Sequence, residues 1–231
     1  MKILWHYNSH RHLEEYSLSS QFFNRSEFFK KNAHVLVTCN NMNISIEELK
    51  NRCSYDCKFE VVRTTNPDNG VDSGQLVALN ETFDKFHSYD YVIHSTPDVY
   101  LVDDAPLISL LTEELYSNNH MIVDHHPYHP FCEFLYCTDF WIFKPQKIIN
   151  FYGEKLDPTT HCIESHLYKK MHELNIPHRI ICRGKKSIHW QLDDYGLIHN
   201  HNMDIIRNLL YNNICPDQET AFSHNTALNQ S

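Results

Sequence analysis

The residue best placed to do chemistry is Asp98. It stands in Tyr89-Asp90-Tyr91-Val92-Ile93-His94-Ser95-Thr96-Pro97-Asp98-Val99-Tyr100-Leu101-Val102-Asp103, a β-rich apolar run interrupted at Thr96-Pro97-Asp98. A proline has no N–H to give to a paired central strand, so the strand breaks there. The break leaves a carboxylate at the carboxyl end of a strand, the edge where open α/β sheets take their ligands. There it suits a divalent cation seated under a nucleotide diphosphate. Four further groups have the right chemistry to act with it: Asp124 followed by His125 and His126, Asp139 in an aromatic stretch, Glu164, and the His-x-His pair His199 and His201.

Composition narrows the setting for these residues. Lys plus Arg number 20 against 29 Asp plus Glu, a net charge of −9, and no basic run is long enough to follow a phosphate backbone. Nucleic acid is therefore not an expected partner. A chain of 231 residues can bury roughly 70% of its unfolded surface, enough for a core without staples. The eight cysteines (Cys39, Cys53, Cys57, Cys132, Cys137, Cys162, Cys182, Cys215) contain no C-x-x-C pair, which suits reduced thiols better than a disulfide framework or a zinc site. Met1-Lys2-Ile3-Leu4-Trp5-His6 is too short and polar for a signal peptide, and no apolar run approaches the ~20 residues that span a bilayer. A cytoplasmic protein without a transmembrane segment is expected, and the Asn-x-Ser/Thr sites at Asn24, Asn43 and Asn80 are read as chance.

The elements that must position the site follow from periodicity. Strands are predicted over Lys2–Tyr7, His34–Cys39, Phe59–Thr64, Tyr91–Leu101 with its break, His120–Asp124, Phe134–Phe143 and Pro177–Arg183, with a shorter one at Ile188–Trp190. Amphipathic helices are predicted over Leu13–Lys31, from Ser45 to before Cys57, Asp72–Phe86, Ala105–Tyr116, from Pro158 or Thr159 to Leu174, and from the segment Gly196–His201 to Asn212. Ser45 with Glu48 three residues on forms a capping-box pattern. Strands alternating with helices imply a mainly parallel, Rossmann-like sheet flanked by helices. One domain is expected over 1–215, with a nucleotide-binding half to about residue 104, an acceptor half over 105–215, and a flexible polar tail over 216–231. The loop after the first strand (His6, Tyr7, Asn8), the loop around Asn69 with Asp72 and Gln75, and Thr96 lie where a base and ribose would sit, with Tyr7 able to stack on the base.

The Tyr89–Tyr100 stretch, preceded by Gly70-Val71-Asp72-Ser73-Gly74-Gln75-Leu76 and followed by Cys137-Thr138-Asp139-Phe140-Trp141-Ile142-Phe143-Lys144-Pro145, resembles the GT-A-fold nucleotide-sugar glycosyltransferases. The small enzymes of large algal DNA viruses and of bacterial polysaccharide clusters are the nearest in character. The resemblance covers roughly Lys2 to Leu210. It implies a GT-A-like α/β fold with a smaller mixed sheet on the acceptor side, and a hexosyl- or deoxyhexosyltransferase acting on a glycan or glycoprotein acceptor. The donor it implies is a UDP-sugar, or failing that a GDP-sugar, with Mn²⁺ or Mg²⁺. In that family an Asp-x-Asp element holds the metal. Here Thr96-Pro97-Asp98 stands in its place and keeps only the second acid, so His199 or His201, as in several GT-A enzymes, or the diphosphate must complete the coordination. The general base that takes the acceptor proton corresponds to Glu164, with Asp139 and then Asp124 as alternatives.

Two other readings compete. Met121-Ile122-Val123-Asp124-His125-His126 resembles the Asp-His-His element of two-metal phosphoesterases, which would use Asp68, Asp98, Asp124, His125 and His126. Against it, a complete two-helix unit precedes Asp68, and no glycine-rich histidine motif follows. The other is a nucleotide- or carbohydrate-binding module without activity, which the missing first acid allows.

Overall fold

A computed structural model describes residues 1–9, 13–65, 73–125, 136–149, 163–182, 191–192, 195–200 and 202–212. The first half alternates as the periodicity predicts: β1 (Ile3–Ser9), α1 (Leu13–Phe23), α2 (Glu27–Asn32), β2 (Ala33–Cys39), α3 (Ile46–Arg52), β3 (Phe59–Arg63), α4 (Ser73–Thr82), β4 (Tyr91–Ser95) and β5 (Val99–Leu101). The second half continues with α5 (Ala105–Leu115), β6 (Met121–His125), β7 (Tyr136–Phe143), α6 (Ile163–Glu173), β8 (His178–Cys182), β9 (Gln191–Leu192), β10 (Leu197–His199) and α7 (Met203–Asn212). The tail over 216–231, the Ile188–Trp190 strand, and Asp68, Asn69, Asp72, His126 and His201 lie outside the described residues.

Among the described residues the strands form a seven-stranded sheet in the order β3-β2-β1-β4-β7-β6-β8 and a three-stranded sheet, β5-β10-β9. In the large sheet only β7 runs antiparallel to its neighbours. Parallel strands covered by helices are buried on both faces, and β4 is buried at every position. Alternation sends Ile3, Trp5, Tyr7, Val35, Val37 and Ile93 into one core, and Leu4, Leu36, Val92, Met121 and Trp141 into the other. Each such side chain removed from water contributes about 1.5–3 kcal/mol.

Four local features differ from the sequence expectations. The helix expected over Leu13–Lys31 is two, because Ser26 offers its hydroxyl to the Phe29 N–H at 3.1 Å and starts a second helix there. The first strand runs on through Asn8 to Ser9, where a turn was expected. The segment before the last helix is itself a strand, β10; Asn202 then accepts the N–H groups of Asp204 and Ile205 and caps α7. Most consequentially, the chain does not resume in the same sheet after Pro97: β5 leaves β4 and pairs with β10, about a hundred residues away, in the small sheet. A third apolar cluster, with Leu18 and Phe22 of α1, Tyr100 of β5, Ile198 of β10, and Ile206 and Leu210 of α7, seats that sheet against the domain.

Candidate functional site

The turn Thr96-Pro97-Asp98-Val99 is closed by the Val99 N–H donating to the Thr96 carbonyl at 3.2 Å, with proline at the second turn position, where its fixed φ is an advantage. The turn hands the chain from the large sheet to the small one and puts Asp98 at the junction. β10 pairs antiparallel with β5, His199 opposite Val99, and the Asn200 N–H donates to the Asp98 carbonyl at 3.2 Å. The result is that His199 Nε2 lies 3.2 Å from Asp98 Oδ2. Both residues are nearly inaccessible, His199 at 3% and Asp98 at 6%.

A third group reaches the same point through a distortion of β7. Val123 pairs with Trp141 and Asp124 with Cys137, so one step along β6 spans four along β7, and Thr138, Asp139 and Phe140 fall outside that pairing. Bulges of this kind re-aim side chains at sheet rims. Here the Asp139 carbonyl accepts the Thr96 N–H at 3.0 Å, and Asp139 Oδ2 comes to 3.6 Å from His199 Nδ1. His199 therefore lies between two carboxylates, one toward each ring nitrogen. Asp139 is the more open of the two, its side chain 27% exposed.

Burial pushes the Tyr100 hydroxyl pKa upward, and the negative charges of Asp98, Glu15 and Glu14 add to the shift. Glu15, which no sequence pattern singles out, is a buried carboxylate on α1. A carboxylate oxygen with an imidazole nitrogen is a donor pair suited to Mn²⁺. Two ligands at right angles on one ion with bonds of about 2.1 Å stand about 3 Å apart, and 3.2 Å between Asp98 Oδ2 and His199 Nε2 matches that spacing. Among the described residues no group of three or more His, Cys, Asp or Glu is arranged to hold a metal. A cation at this point would thus take most of its remaining ligands from a bound molecule.

The other candidate residues are distributed as follows. Asp124 is fully buried at the register shift of β6, away from solvent. Glu164 falls in the first turn of α6. Because α6 feeds the start of β8, which pairs parallel with β6, that turn is at the carboxyl edge of the sheet, the same edge as Asp98. Gln75 lies in the first turn of α4. Tyr7, expected to stack on a base, is fully buried and stacks on Trp5 and Tyr55, with centroids 5.8 Å away in each case.

His6 and Asn8 are sealed in the sheet with it. The Thr38 hydroxyl points its single hydrogen toward Tyr7 O (3.2 Å) and Asn8 Oδ1 (2.9 Å), so His6 Nε2 donates to Thr38 Oγ1 at 2.8 Å. That leaves His6 Nδ1 to accept from His94 Nδ1 at 3.0 Å. Burial holds His6 down to about 3 and His94 well below its usual range. These residues build the floor of the site rather than its surface. A groove of ≈ 290 Å³ beside Leu4, His34, Lys58 and Tyr89 opens at the opposite, amino edge of the sheet and has no part in this site.

Neither a family model nor a curated protein matches the sequence. Solved structures do match. A mannosyltransferase from Pyrobaculum calidifontis, in complex with GDP-Man and Mn²⁺, superposes with a TM-score of 0.59 at 9% identity over 79% of this chain and 56% of its own. S. aureus TarS 1-349 in complex with UDP-GlcNAc gives 0.56 at 11% identity, over 81% of this chain and 57% of its own. The chain thus spans little more than half the length of either. The 4-diphosphocytidyl-2C-methyl-D-erythritol synthase of Anaerococcus prevotii gives 0.52 at 9% identity, over 84% of this chain and 94% of its own. None of these three is viral. Among the described residues the parallel sheet is interrupted only by antiparallel β7 and a small second sheet stands at the Asp98 junction, so the chain has a GT-A-like α/β fold.

Proposed function

We propose that the protein is a glycosyltransferase that moves a hexosyl or deoxyhexosyl group from a nucleotide-diphosphate donor, a UDP-sugar or else a GDP-sugar, to a hydroxyl of a glycan or glycoprotein. The observation that carries this reading is the convergence of Asp98 and His199 at 3.2 Å across the junction of the two sheets. Asp98 and His199 hold Mn²⁺ or Mg²⁺ against the diphosphate, and when bound the ion offsets the negative charge that grows on the departing diphosphate. The turn at Pro97 and the bulge in β7 fix these groups before the donor arrives, so little reorganisation is needed at the reacting centre. Glu164, at the carboxyl edge of the sheet, takes the acceptor proton.

The test is thermal shift with UDP, GDP and dTDP sugars, each with and without Mn²⁺. A ligand that binds only the folded state raises its melting temperature by mass action. One nucleotide should stabilise the protein in a metal-dependent way, and Asp98→Ala should remove the metal-dependent part while leaving the unliganded melting temperature nearly unchanged. Indifference to every nucleotide would sink the reading.

The near-complete match in length to the diphosphocytidyl-methylerythritol synthase favours a second reading on the same fold, nucleotidyl transfer to a sugar or polyol phosphate. Pyrophosphate release from nucleoside triphosphates mixed with sugar phosphates would select it. The phosphoesterase reading has less support: Asp98, Asp124 and His125, the described members of its ligand set, form no metal-holding group.

A further inference from the structure

We infer that Asp139 is a positioning residue for the metal-binding histidine rather than the general base. This rests on the reading of Asp98 and His199 as metal ligands. His199 is almost completely buried with a carboxylate off each ring nitrogen, Asp98 at 3.2 Å from Nε2 and Asp139 at 3.6 Å from Nδ1. The two carboxylates are not equivalent. Asp98 is 6% exposed and is carried by the turn at the sheet junction, immediately before the β5 strand that β10 pairs with. Asp139 is brought in from the far side by the three-residue excursion of β7.

A neutral imidazole carries one N–H, and only the other nitrogen has a lone pair for a metal. A cation shared with Asp98 takes the Nε2 lone pair, so Nδ1 then carries the N–H and the Asp139 carboxylate is the acceptor on that side; without the cation Asp98, at 3.2 Å from Nε2, competes for the same proton. At 3.6 Å the pair is just beyond hydrogen-bond length, and a side-chain shift of a few tenths of an ångström closes it. Carboxylate–imidazole–metal relays of this type fix the tautomer and raise the basicity of the ligand, and losing the outer carboxylate costs roughly ten- to a hundredfold in metal affinity. The same geometry argues against Asp139 as the base. A carboxylate engaged with a buried imidazole cannot also swing to meet an acceptor hydroxyl. The excursion in β7 is thus a device of the site, and Thr96, whose N–H is held by the Asp139 carbonyl at 3.0 Å, ties it to the Asp98 turn.

The experiment compares Asp139→Ala, Asp139→Glu, Asp98→Ala and His199→Ala with the parent chain by two readouts that need no turnover. Mn²⁺ affinity is measured by electron paramagnetic resonance of the free ion, in the presence of UDP or GDP. The His199 Nδ1–H is read from ¹H–¹⁵N shifts with Mg²⁺ and UDP or GDP bound. Asp139→Ala should lower Mn²⁺ affinity roughly ten- to a hundredfold and shift the Nδ1–H resonance upfield as its carboxylate acceptor is lost, and Asp139→Glu should restore part of both. Parent-like affinity and an unchanged Nδ1–H resonance in Asp139→Ala would overturn the inference. Parent-like affinity in Asp98→Ala and His199→Ala would instead overturn the metal-site reading on which it rests.

Discussion

At the scale of single residues, the site is a small set of side chains whose roles are separable by what each one touches. Asp98 and His199 converge on one point. Glu164 is brought to the same edge of the sheet by topology alone, since a helix that precedes a parallel strand begins at the carboxyl edge. If it takes the proton of the acceptor, removing its charge should damage the chemical step and spare donor binding. Glu164→Gln is expected to lower kcat by about 10²- to 10⁴-fold with the donor Kd unchanged, as checked by turnover assay and titration calorimetry. Near-parent transfer rates would move the role to another carboxylate. Asp98 was legible in the sequence because proline interrupting a β-rich run has a definite physical meaning. Glu15 was not, because a carboxylate in the first turn of a helix looks the same whether it faces water or a buried tyrosine.

At the scale of elements, the alternation of strands and helices was legible and so was the Ser45 cap, whose hydroxyl accepts the Glu48 N–H at 3.0 Å. Those signals are local. What stayed hidden was where strands pair. Val99-Tyr100-Leu101 is as apolar as the run before Pro97, and only a partner far along the chain, β10, assigns it to a second sheet. The β7 excursion was equally invisible, since nothing in Thr138-Asp139-Phe140 distinguishes three residues left out of the pairing with β6 from three in a regular strand.

Gly196 illustrates how an element can depend on one position. It immediately precedes β10 with φ +69°, and a Cβ there would fall 1.8 Å from the Asp103 carbonyl oxygen. That carbonyl belongs to backbone already tied down, because the Val102 and Asp103 N–H groups both donate to the Gly196 carbonyl, at 2.9 and 3.1 Å. Gly196→Ala must therefore displace backbone, and should cost about 1–3 kcal/mol of stability. Because β10 carries His199, the metal-dependent part of nucleotide stabilisation should fall with it. Denaturant unfolding and thermal shift on one preparation check both, and a variant as stable as the parent would mean that β10 is not seated as described.

At the scale of the whole molecule, the central sheet is built around polar groups that only work uncharged. His6 and His94 sit back to back on adjacent strands β1 and β4, in register with one another, with Phe86 beside His6 and Trp141 beside His94. Among the described residues their contacts are to each other, to Thr38 and to aromatic rings, with no carboxylate paired to either. Burial holds His6 down to about 3 and His94 well below the usual value. In the unfolded chain both return to about 6.5. Between those values the unfolded state binds protons that the folded state cannot, so stability rises with pH. The contribution is fully present above about pH 6.5 and is lost as the pH falls toward 3, at a limiting slope of about 1.4 kcal/mol per pH unit for each histidine. Urea midpoints between pH 7 and pH 4 should therefore fall more steeply than paired carboxylates alone would produce. His6→Gln, which can still donate to the Thr38 hydroxyl, should lower the starting stability but flatten the slope by roughly one proton's worth. An unchanged slope would show that the acid sensitivity arises elsewhere. The same test bears on the site, since Asn8 and Thr38 at the carboxyl ends of β1 and β2 are held by this chain of hydrogen bonds.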